Sequence, residues 1–142
     1  HLRADRVYYT EVDEAAGTAA VRRNYLRADS PSLVGPYRVA DFGWIIPPLR
    51  RGETVVVPDV TTAPLVPAAD PPTLAAVRIA ANVVAPLVKG GALVGTLSVN
   101  EPAPRAWTDA EVGLVEEVAE RTWAAVERAK AVAELRASEE RN

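Results

Sequence analysis

The stretch NVVAPLVKGGALVGTLSVN, residues 82–100, contains two apolar-rich runs separated by Gly90 and Gly91. A glycine pair in this position is typical of a chain that reverses between two antiparallel strands. The pattern therefore predicts a β-hairpin, which we place at the centre of a sheet.

Two registers can be drawn for this hairpin. A loop of Gly90 and Gly91 alone sets Lys89 opposite Ala92 and mixes polar and apolar side chains on both faces. A three-residue loop that includes Lys89 sets Val88 opposite Ala92 and separates the faces, so we predict the second register. One face is then wholly apolar: Val83, Ala85, Leu87, Leu93, Gly95, Leu97 and Val99. The other face carries Asn82, Val84, Pro86, Val94, Thr96, Ser98 and Asn100.

The composition is that of one globular domain. The chain has 142 residues, 49% hydrophobic and 25% charged, which is enough to bury a substantial core. The net charge of -3 and the scattered arginines argue against a nucleic-acid partner. No run approaches the ~20 apolar residues of a membrane span, and no signal peptide is present, so we expect a cytoplasmic protein without a membrane partner. Because the chain opens on His1 and closes within a continuing helical pattern, we expect a module of a longer protein.

Catalytic and metal chemistry lack the side chains that they need. The chain has no cysteine, which excludes disulfides, thiolate metal sites, thiol catalysis and thioether attachment of a cofactor. The one histidine is His1, so neither a catalytic triad of the usual kind nor a zinc cluster can be assembled. The adjacent carboxylates at 13–14 and 116–117 fit a turn and a solvated helix face. We therefore expect no enzyme activity, no catalytic residue and no metal site.

Two strands are predicted near the N-terminus. Residues 6–12 and 18–26 are rich in β-forming side chains and are separated by turn residues, which indicates a second hairpin. In the first strand, Tyr8, Thr10 and Val12 share one face.

The segment after this hairpin is predicted to be irregular. Residues 29–36 (DSPSLVGP) are loop by composition. Residues 37–51 indicate a short helix in which Asp41 is a candidate cap, while Pro47 and Pro48 restrict the helix.

An edge strand and a crossover are predicted to follow. Residues 53–60 read as a strand at the edge of the sheet, because Pro58 ends the run. Residues 61–72 are rich in proline and are expected to cross the surface without regular structure. Residues 73–79 are predicted to form a short helix that leads into the central hairpin.

Strong local signals mark a long C-terminal helix from Asp109 to about Ser138. Thr108 and Glu111 fit a capping box, and the flanking apolar residues Trp107 and Val112 fit a hydrophobic staple. The first half of this helix is expected to cover the apolar face of the sheet.

A second stripe on this helix predicts a homodimer. Small and apolar residues recur at steps of three and four, as in a coiled-coil seam that allows close approach of a partner helix. The stripe consists of Val115, Val118, Thr122, Ala125, Ala129 and Val132. The alternative is a single amphipathic helix that frays near its end.

The order of these elements resembles that of a GAF domain, a relative of the PAS fold. Residues 76–129 carry the most specific likeness and are similar to GAF modules of bacterial sensor histidine kinases, including the phytochrome-related branch. The resemblance implies an α+β fold, with a central five- or six-stranded antiparallel sheet, helices on one face, a ligand cavity on the other and a long C-terminal helix. It also implies a GAF domain at 1–126 and a helical linker at 127–142 that leads to a PAS or kinase domain.

The phytochrome branch implies roles for individual residues. Residues 37–43 (YRVADFG) resemble the segment that brings a tyrosine and an aspartate near the bilin, which would give these roles to Tyr37 and Asp41. Asn100 and Asp70 fall near positions where the family has histidines. Because the chain has no cysteine, covalent bilin attachment is excluded. Noncovalent tetrapyrrole binding, as in a photosensor, is left as an alternative.

The partly polar face of the hairpin is the predicted binding surface. Small-molecule sites are usually apolar cavities with a few directional polar groups. The candidate ligand-binding residues are Tyr8, Thr10, Tyr37, Asp41, Phe42, Asn82, Val84, Thr96, Ser98 and Asn100. Alternatively, these side chains bond one another and fill the space.

The predicted function is that of a noncatalytic sensory module in a two-component signalling protein, most plausibly a histidine kinase. It would bind an unknown small molecule or relay a conformational change through the dimeric helix. A ligand-free dimerisation and relay module is the alternative, and no particular cofactor is predicted.

Overall fold

Six antiparallel strands form one sheet, with a long helix across one face. The computed structural model describes residues 6–26, 33, 35–67, 70, 74 and 79–141, with 22–26, 41 and 42 described by backbone alone. The strands are β1 (Arg6–Asp13), β2 (Thr18–Leu26), β3 (Gly35–Arg38), β4 (Val55–Val57), β5 (Ala81–Lys89) and β6 (Ala92–Glu101). A 3-10 helix (Val39–Phe42), α1 (Ile46–Arg50) and α2 (Asp109–Arg141) complete the described elements.

The strand order in the sheet is β3-β2-β1-β6-β5-β4. The predicted central hairpin, β5–β6, lies within the sheet, and β4 lies at one edge as predicted. The other edge strand, β3, was not predicted, since Gly35 and Pro36 read as loop. Pro36 is tolerated there because an edge strand has one side without ladder hydrogen bonds. The predicted α+β fold with a five- or six-stranded antiparallel sheet is confirmed, and the sheet has six strands.

The predicted loop of the central hairpin is wrong. Gly90 and Gly91 alone form the turn, with φ angles of 60° and 79°, and Lys89 lies opposite Ala92. Positive φ at both central residues is the requirement of a type I′ turn, which suits the twist of the flanking strands. A bulge follows at once, and beyond it Leu87 pairs with Gly95.

The bulge adds one residue to β6, which restores the predicted alternation beyond it. Most of the predicted face assignment is therefore correct. Val83 pairs with Val99 and Ala85 with Leu97 in one apolar core cluster. Leu93, just before the bulge, and Val94, the unpaired residue within it, are exceptions. Leu93 packs with Val84 in a second cluster on the other side of the sheet, whereas Val94 packs against the first cluster.

The first cluster lies between the sheet and α2. Val115 and Ala119 of α2 are 0% and 1% exposed and pack against side chains from β1, β5 and β6. The sheet side contributes Tyr9, Val83, Ala85, Leu87, Leu97 and Val99. Each face of the sheet thus has its own apolar cluster, and the helix covers one of them.

The predicted capping box begins α2. The Thr108 amide donates to Glu111 Oε1 at 2.9 Å, and the Glu111 amide donates to Thr108 Oγ1 at 3.1 Å. Trp107 and Val112, the predicted staple, both pack against the first cluster. Trp107 Nε1 also donates to the carbonyl of Val57 at 3.3 Å, which links the start of α2 to the end of β4.

The start of the predicted helix seam needs correction. Val115 is fully buried against the sheet, and Val118 is half-buried against the same cluster, so these residues are not available to a partner helix. The wide apolar arc of the first helical half packs within the domain. Further along α2, Ala125, Ala129 and Val132 are exposed.

The 3-10 helix, α1 and β4 differ in detail from the predictions. Asp41 does not begin either helix, because the 3-10 helix is capped at Arg38 and α1 at Ile45. Pro47 lies in the first turn of α1, where its missing amide costs no helical hydrogen bond. The strand predicted at 53–60 is limited to β4.

The loop predicted at 29–36 lies mostly outside the described residues. The same holds for the helix predicted at 73–79, of which Leu74 is described as helical. Ile79 is not helical, and its amide donates to the carbonyl of Leu74 at 2.9 Å.

Candidate functional site

A cavity of about 370 Å³ lies on the face of the sheet opposite α2. Small-molecule sites in proteins have volumes of roughly 300–1,000 Å³, so this cavity falls at the compact end of that range. Strands β1, β2, β5 and β6 form its floor, and its walls include Leu33, the segment from β3 to α1, Leu74 and Ile79. The lining residues are Tyr8, Thr10, Val12, Ala19, Val21, Leu33, Tyr37, Val39, Trp44, Ile45, Ile46, Leu49, Leu74, Ile79, Asn82, Val84, Thr96 and Ser98.

The polar floor follows from the register of the sheet. Tyr8 pairs with Ser98 and Thr10 pairs with Thr96 across β1 and β6, so these four side chains point to the same face. Val84 pairs with Ser98 across β5 and β6, which brings the alternate residues of β5 to this face as well. Three central strands therefore contribute their hydroxyl and amide groups to one surface.

The walls of the cavity are apolar. Ile46 and Leu49 of α1 are 8% and 2% exposed and belong to the second core cluster, together with Ile79. Trp44 is half-buried and packs against this cluster, while it also lines the cavity.

Glu14 fixes α1 above the sheet. Its carboxylate forms an ion pair with Arg50 at the end of α1, and Oε2 accepts a hydrogen bond from the Leu93 amide at 3.0 Å. The hydrogen bond from Arg50, followed by that from the Leu93 amide, lowers the pKa of Glu14 below its usual value. One carboxylate thus joins the β1–β2 turn, the helix α1 and the tip of the central hairpin.

Two tyrosine hydroxyls are engaged within the protein. Tyr37 donates its hydroxyl hydrogen to the carbonyl of Leu33. Burial raises the pKa of Tyr8 above its usual value, and the hydrogen bond with Ser98 partly offsets this effect. Tyr8 is therefore protonated at neutral pH and is a neutral polar group of the cavity.

Asn82 lines the cavity and also carries a buried acceptor without a partner. The side chain is 6% exposed, and its Oδ1 has no hydrogen-bond partner within the described part of the chain. A buried acceptor without a partner costs about 1–3 kcal/mol of desolvation.

A buried arginine on the same face of the sheet was not predicted. Arg6 is 0% exposed, and its Nη1 donates to Oδ1 of Asn100 at 3.3 Å. Asn100 lies opposite both Arg6 on β1 and Asn82 on β5. The sequence signal was present, since Arg6 shares the parity of Tyr8 and Thr10, but arginines are rarely buried.

The structure places seven of the ten candidate residues in the lining of the cavity. They are Tyr8, Thr10, Tyr37, Asn82, Val84, Thr96 and Ser98. Asn100, the cross-strand partner of Asn82, is fully buried and is not among the lining residues. The side chains of Asp41 and Phe42 lie outside the described residues. Sequence reasoning missed the apolar walls, most of which lie in the two segments predicted to form short helices, at 37–51 and 73–79.

Metal-binding and membrane-spanning features were also sought. The described ranges contain no group of three or more acidic or histidine side chains placed to hold a metal ion. Across those same ranges, none of the helices combines the length and the hydropathy that crossing a bilayer requires.

Comparison with known families identifies the domain. The family model described as "GAF domain" matches residues 1–126. The chain belongs to the GAF domain family. None of the curated proteins matches this GAF domain at a significant level.

Solved structures confirm the GAF fold. The blue-light absorbing form of the PixJ GAF domain of Thermosynechococcus elongatus is 21% identical, with a TM-score of 0.76 over 96% of this chain and 82% of that one. The red light-absorbing state of NpR6012g4, a red/green cyanobacteriochrome, is 20% identical, with a TM-score of 0.75 over 92% of this chain and 87% of that one. The photoproduct state of GAF3 from a Synechocystis sp. PCC6803 protein is 22% identical, with a TM-score of 0.72 over 94% and 89% of the two chains. At this level of identity the likeness establishes the fold alone.

Proposed function

We propose that this GAF domain is a noncatalytic sensory module that binds a small molecule in the cavity opposite α2. The observation that carries the proposal is the cavity itself, about 370 Å³ in volume, with polar groups on its floor and apolar walls. This combination is that of a ligand site, because apolar walls supply affinity and a few polar groups supply orientation. Ligand binding would change the packing of α1 and of the crossover that leads to Ile79.

Residues 127–142 are proposed to connect the domain to an output domain. Lys130 still contacts the sheet, since its Nζ lies 3.1 Å from Oε2 of Glu11. Beyond this ion pair, α2 continues to Arg141, and its larger apolar side chains Val132 and Leu135 are 43% and 60% exposed. An exposed apolar stripe supports a parallel homodimer seam through Ala125, Ala129 and Val132.

The proposed setting is a cytoplasmic two-component signalling protein, in which a PAS or kinase domain follows. The similarity of residues 76–129 to GAF modules of sensor histidine kinases supports this setting. A change in the packing of the sheet would reach the output domain through α2, because the first half of that helix is buried against β5 and β6.

A noncovalent tetrapyrrole is the second candidate ligand. The likeness in fold to cyanobacteriochrome GAF domains favours it. Titration with biliverdin, followed by visible absorption, tests this candidate. We expect no shifted band, because a cavity of about 370 Å³ is compact for a molecule of four rings.

The experiment that tests the proposed function is a ligand-detected NMR screen of neutral one-ring and two-ring compounds. Val84 lines the cavity and is 5% exposed, so Val84→Phe should fill the space and abolish the binding of the compounds that the wild type binds. Val56→Phe is the matched control, because Val56 lies on the edge strand and is 40% exposed.

Both variants are first checked for native-like NMR spectra. If Val84→Phe does not fold, Ser98→Leu replaces it as the variant that fills the cavity. A wild type that binds no compound, or a filled variant that binds as well as the wild type, would refute small-molecule binding in this cavity. The ligand-free relay would then be the better description.

A further inference from the structure

We propose that the molecule bound in the cavity presents a neutral cis-amide edge, a ring carbonyl beside a ring N–H, to the hydroxyl groups of Thr10 and Thr96. The inference rests on the proposed function, since it specifies the chemistry of a ligand of the same cavity. It goes further, because it names the protein atoms that bond the ligand and the two ligand groups that they recognise.

Thr10 and Thr96 form a pair on the floor of the cavity. They lie directly opposite each other across β1 and β6, and both residues line the cavity. The Cβ atoms of residues that are paired in this way lie ~4.5–5.5 Å apart. Neighbouring groups on one ligand can therefore reach both side chains.

Both hydroxyl groups are open to the cavity. Within the described part of the chain, neither Oγ1 atom forms a hydrogen bond. Thr10 is half-buried and Thr96 is 7% exposed, yet neither Oγ1 is one of the enclosed polar atoms that lack a partner. An unbonded oxygen that is not enclosed has accessible surface. Because both side chains point to the cavity face of the sheet, this surface is available to a ligand.

The other hydroxyl groups of the described lining are hydrogen-bonded within the protein. Tyr8 and Ser98, the next pair on the same face of β1 and β6, bond to each other. The Tyr37 hydroxyl donates to the carbonyl of Leu33. Oδ1 of Asn82 is enclosed and has essentially no accessible surface. The threonine pair thus supplies the open hydroxyl groups of the floor.

Two neighbouring hydroxyl groups match a donor that lies beside an acceptor. A threonine hydroxyl both donates and accepts hydrogen bonds. A ring carbonyl can therefore accept from one hydroxyl of the pair, while the adjacent N–H donates to the other. This arrangement uses both hydroxyls and requires no charge on the ligand.

The surroundings of the pair select against a charged ligand. A carboxylate could also accept from both hydroxyls. However, none of the described residues that line the cavity carries an ionised side chain. A carboxylate would lose its hydration there without gaining an opposite charge, which is strongly unfavourable. The neutral edge of a lactam ring therefore fits the pair better.

The test compares two probes that differ at one ring position. 2-Quinolone has an N–H beside its carbonyl, and coumarin has the same two-ring shape with an oxygen atom in place of the N–H. A cavity of ~150 Å³ holds benzene, so two fused rings fit within about 370 Å³. Dissociation constants are measured by NMR titration of the isotope-labelled domain. We expect 2-quinolone to bind about fivefold more tightly than coumarin, which corresponds to ~1 kcal/mol.

Thr→Val substitutions assign the two bonds, because valine has nearly the shape of threonine without its hydroxyl. In one of Thr10→Val and Thr96→Val, the preference for 2-quinolone should disappear, since the acceptor of the N–H is lost. In the other, both probes should bind about fivefold more weakly, since the donor to the carbonyl is lost. Thr122→Val is the matched control and should bind both probes like the wild type, because Thr122 lies on α2, across the sheet from the cavity, and donates to the carbonyl of Val118.

Serine variants separate hydrogen bonding from packing. Thr10→Ser and Thr96→Ser lose a methyl group but keep the hydroxyl, so they should retain the fivefold preference. All variants are first checked for native-like NMR spectra. If one valine variant does not fold, the wild-type ratio still decides whether the N–H is selected, and the other valine variant decides whether the pair recognises the probe.

The outcomes separate this inference from the proposed function. Equal binding of 2-quinolone and coumarin to the wild type would overturn the selection of a cis-amide edge. A preference that persists unchanged in both valine variants would overturn the role of the threonine pair. If neither probe binds, while other compounds of the NMR screen bind the wild type but not Val84→Phe, the inference fails and small-molecule binding stands. If no compound binds at all, both fail.

Discussion

Asn82 lies directly opposite Asn100 across β5 and β6, and both side chains are buried on the same face of the sheet. Their amides are used differently. Oδ1 of Asn100 accepts from Arg6, whereas Oδ1 of Asn82 has no partner among the residues described. This difference predicts opposite effects of the same substitution at two paired positions.

Asn82→Leu should leave the stability of the ligand-free domain unchanged or raise it by about 1 kcal/mol, because an unsatisfied acceptor is removed. Asn100→Leu should lower the stability by about 1–3 kcal/mol, because the buried guanidinium of Arg6 loses an acceptor. Urea unfolding followed by circular dichroism measures both effects. A loss above 1 kcal/mol in Asn82→Leu would show that this amide is satisfied in the native state.

Glu14 predicts a dependence of stability on pH. Its pKa is lowered in the folded state, chiefly by the hydrogen bond from Arg50 and then by that from the Leu93 amide. The folded state therefore binds the proton less readily than the unfolded state does. The stabilisation is present above the ordinary glutamate pKa of 4.5 and is lost as the pH falls through the lower pKa of the folded state.

The melting temperature should thus fall in Glu14→Gln at pH 7, and the gap to the wild type should close as the pH is lowered from about 5 to 3. Glu134→Gln, at an exposed position late in α2, is the control and should melt like the wild type. A gap that is constant over this pH range would mean that the carboxylate charge of Glu14 does not support the fold.

The exposed part of the helix seam predicts the effect of a charge on association. Ala129→Glu should convert a homodimer into a monomer, because it would bury two carboxylates in a closely packed seam. Ala131→Glu lies on the opposite side of the helix and should leave the dimer intact. Light scattering gives the mass of each variant. An unchanged dimer in Ala129→Glu would rule out this seam.

The faces of the central hairpin could be predicted from the sequence, whereas its loop could not. Two arrangements place the same alternate residues of the two strands on one face: a three-residue loop, and a two-residue loop followed by a one-residue bulge. The alternation beyond the bulge is therefore identical in the two cases. The two arrangements differ only in the faces that they give to Leu93 and Val94. Because both residues are apolar, the sequence pattern could not distinguish the two arrangements.

The candidate site shows the same division between local and long-range information. The floor followed from period-two alternation in β1, β5 and β6, which needs no knowledge of the rest of the chain. The walls depend on how α1 and the crossover pack over the sheet, and Leu49 or Ile79 gave no local sign of this. Strand β3 was missed because pairing with β2 overrides the loop preference of Gly35 and Pro36.

The most direct test of the central claim is a measurement of nuclear Overhauser effects between a bound one-ring or two-ring compound from the NMR screen and the methyl groups of the labelled domain. The account predicts contacts to Val21, Leu49 and Val84, which line the cavity. It predicts none to Val83, Leu87 or Leu97, which lie under α2. Contacts to the latter group, or a bound probe that contacts neither group, would contradict a ligand cavity on the face of the sheet opposite the helix.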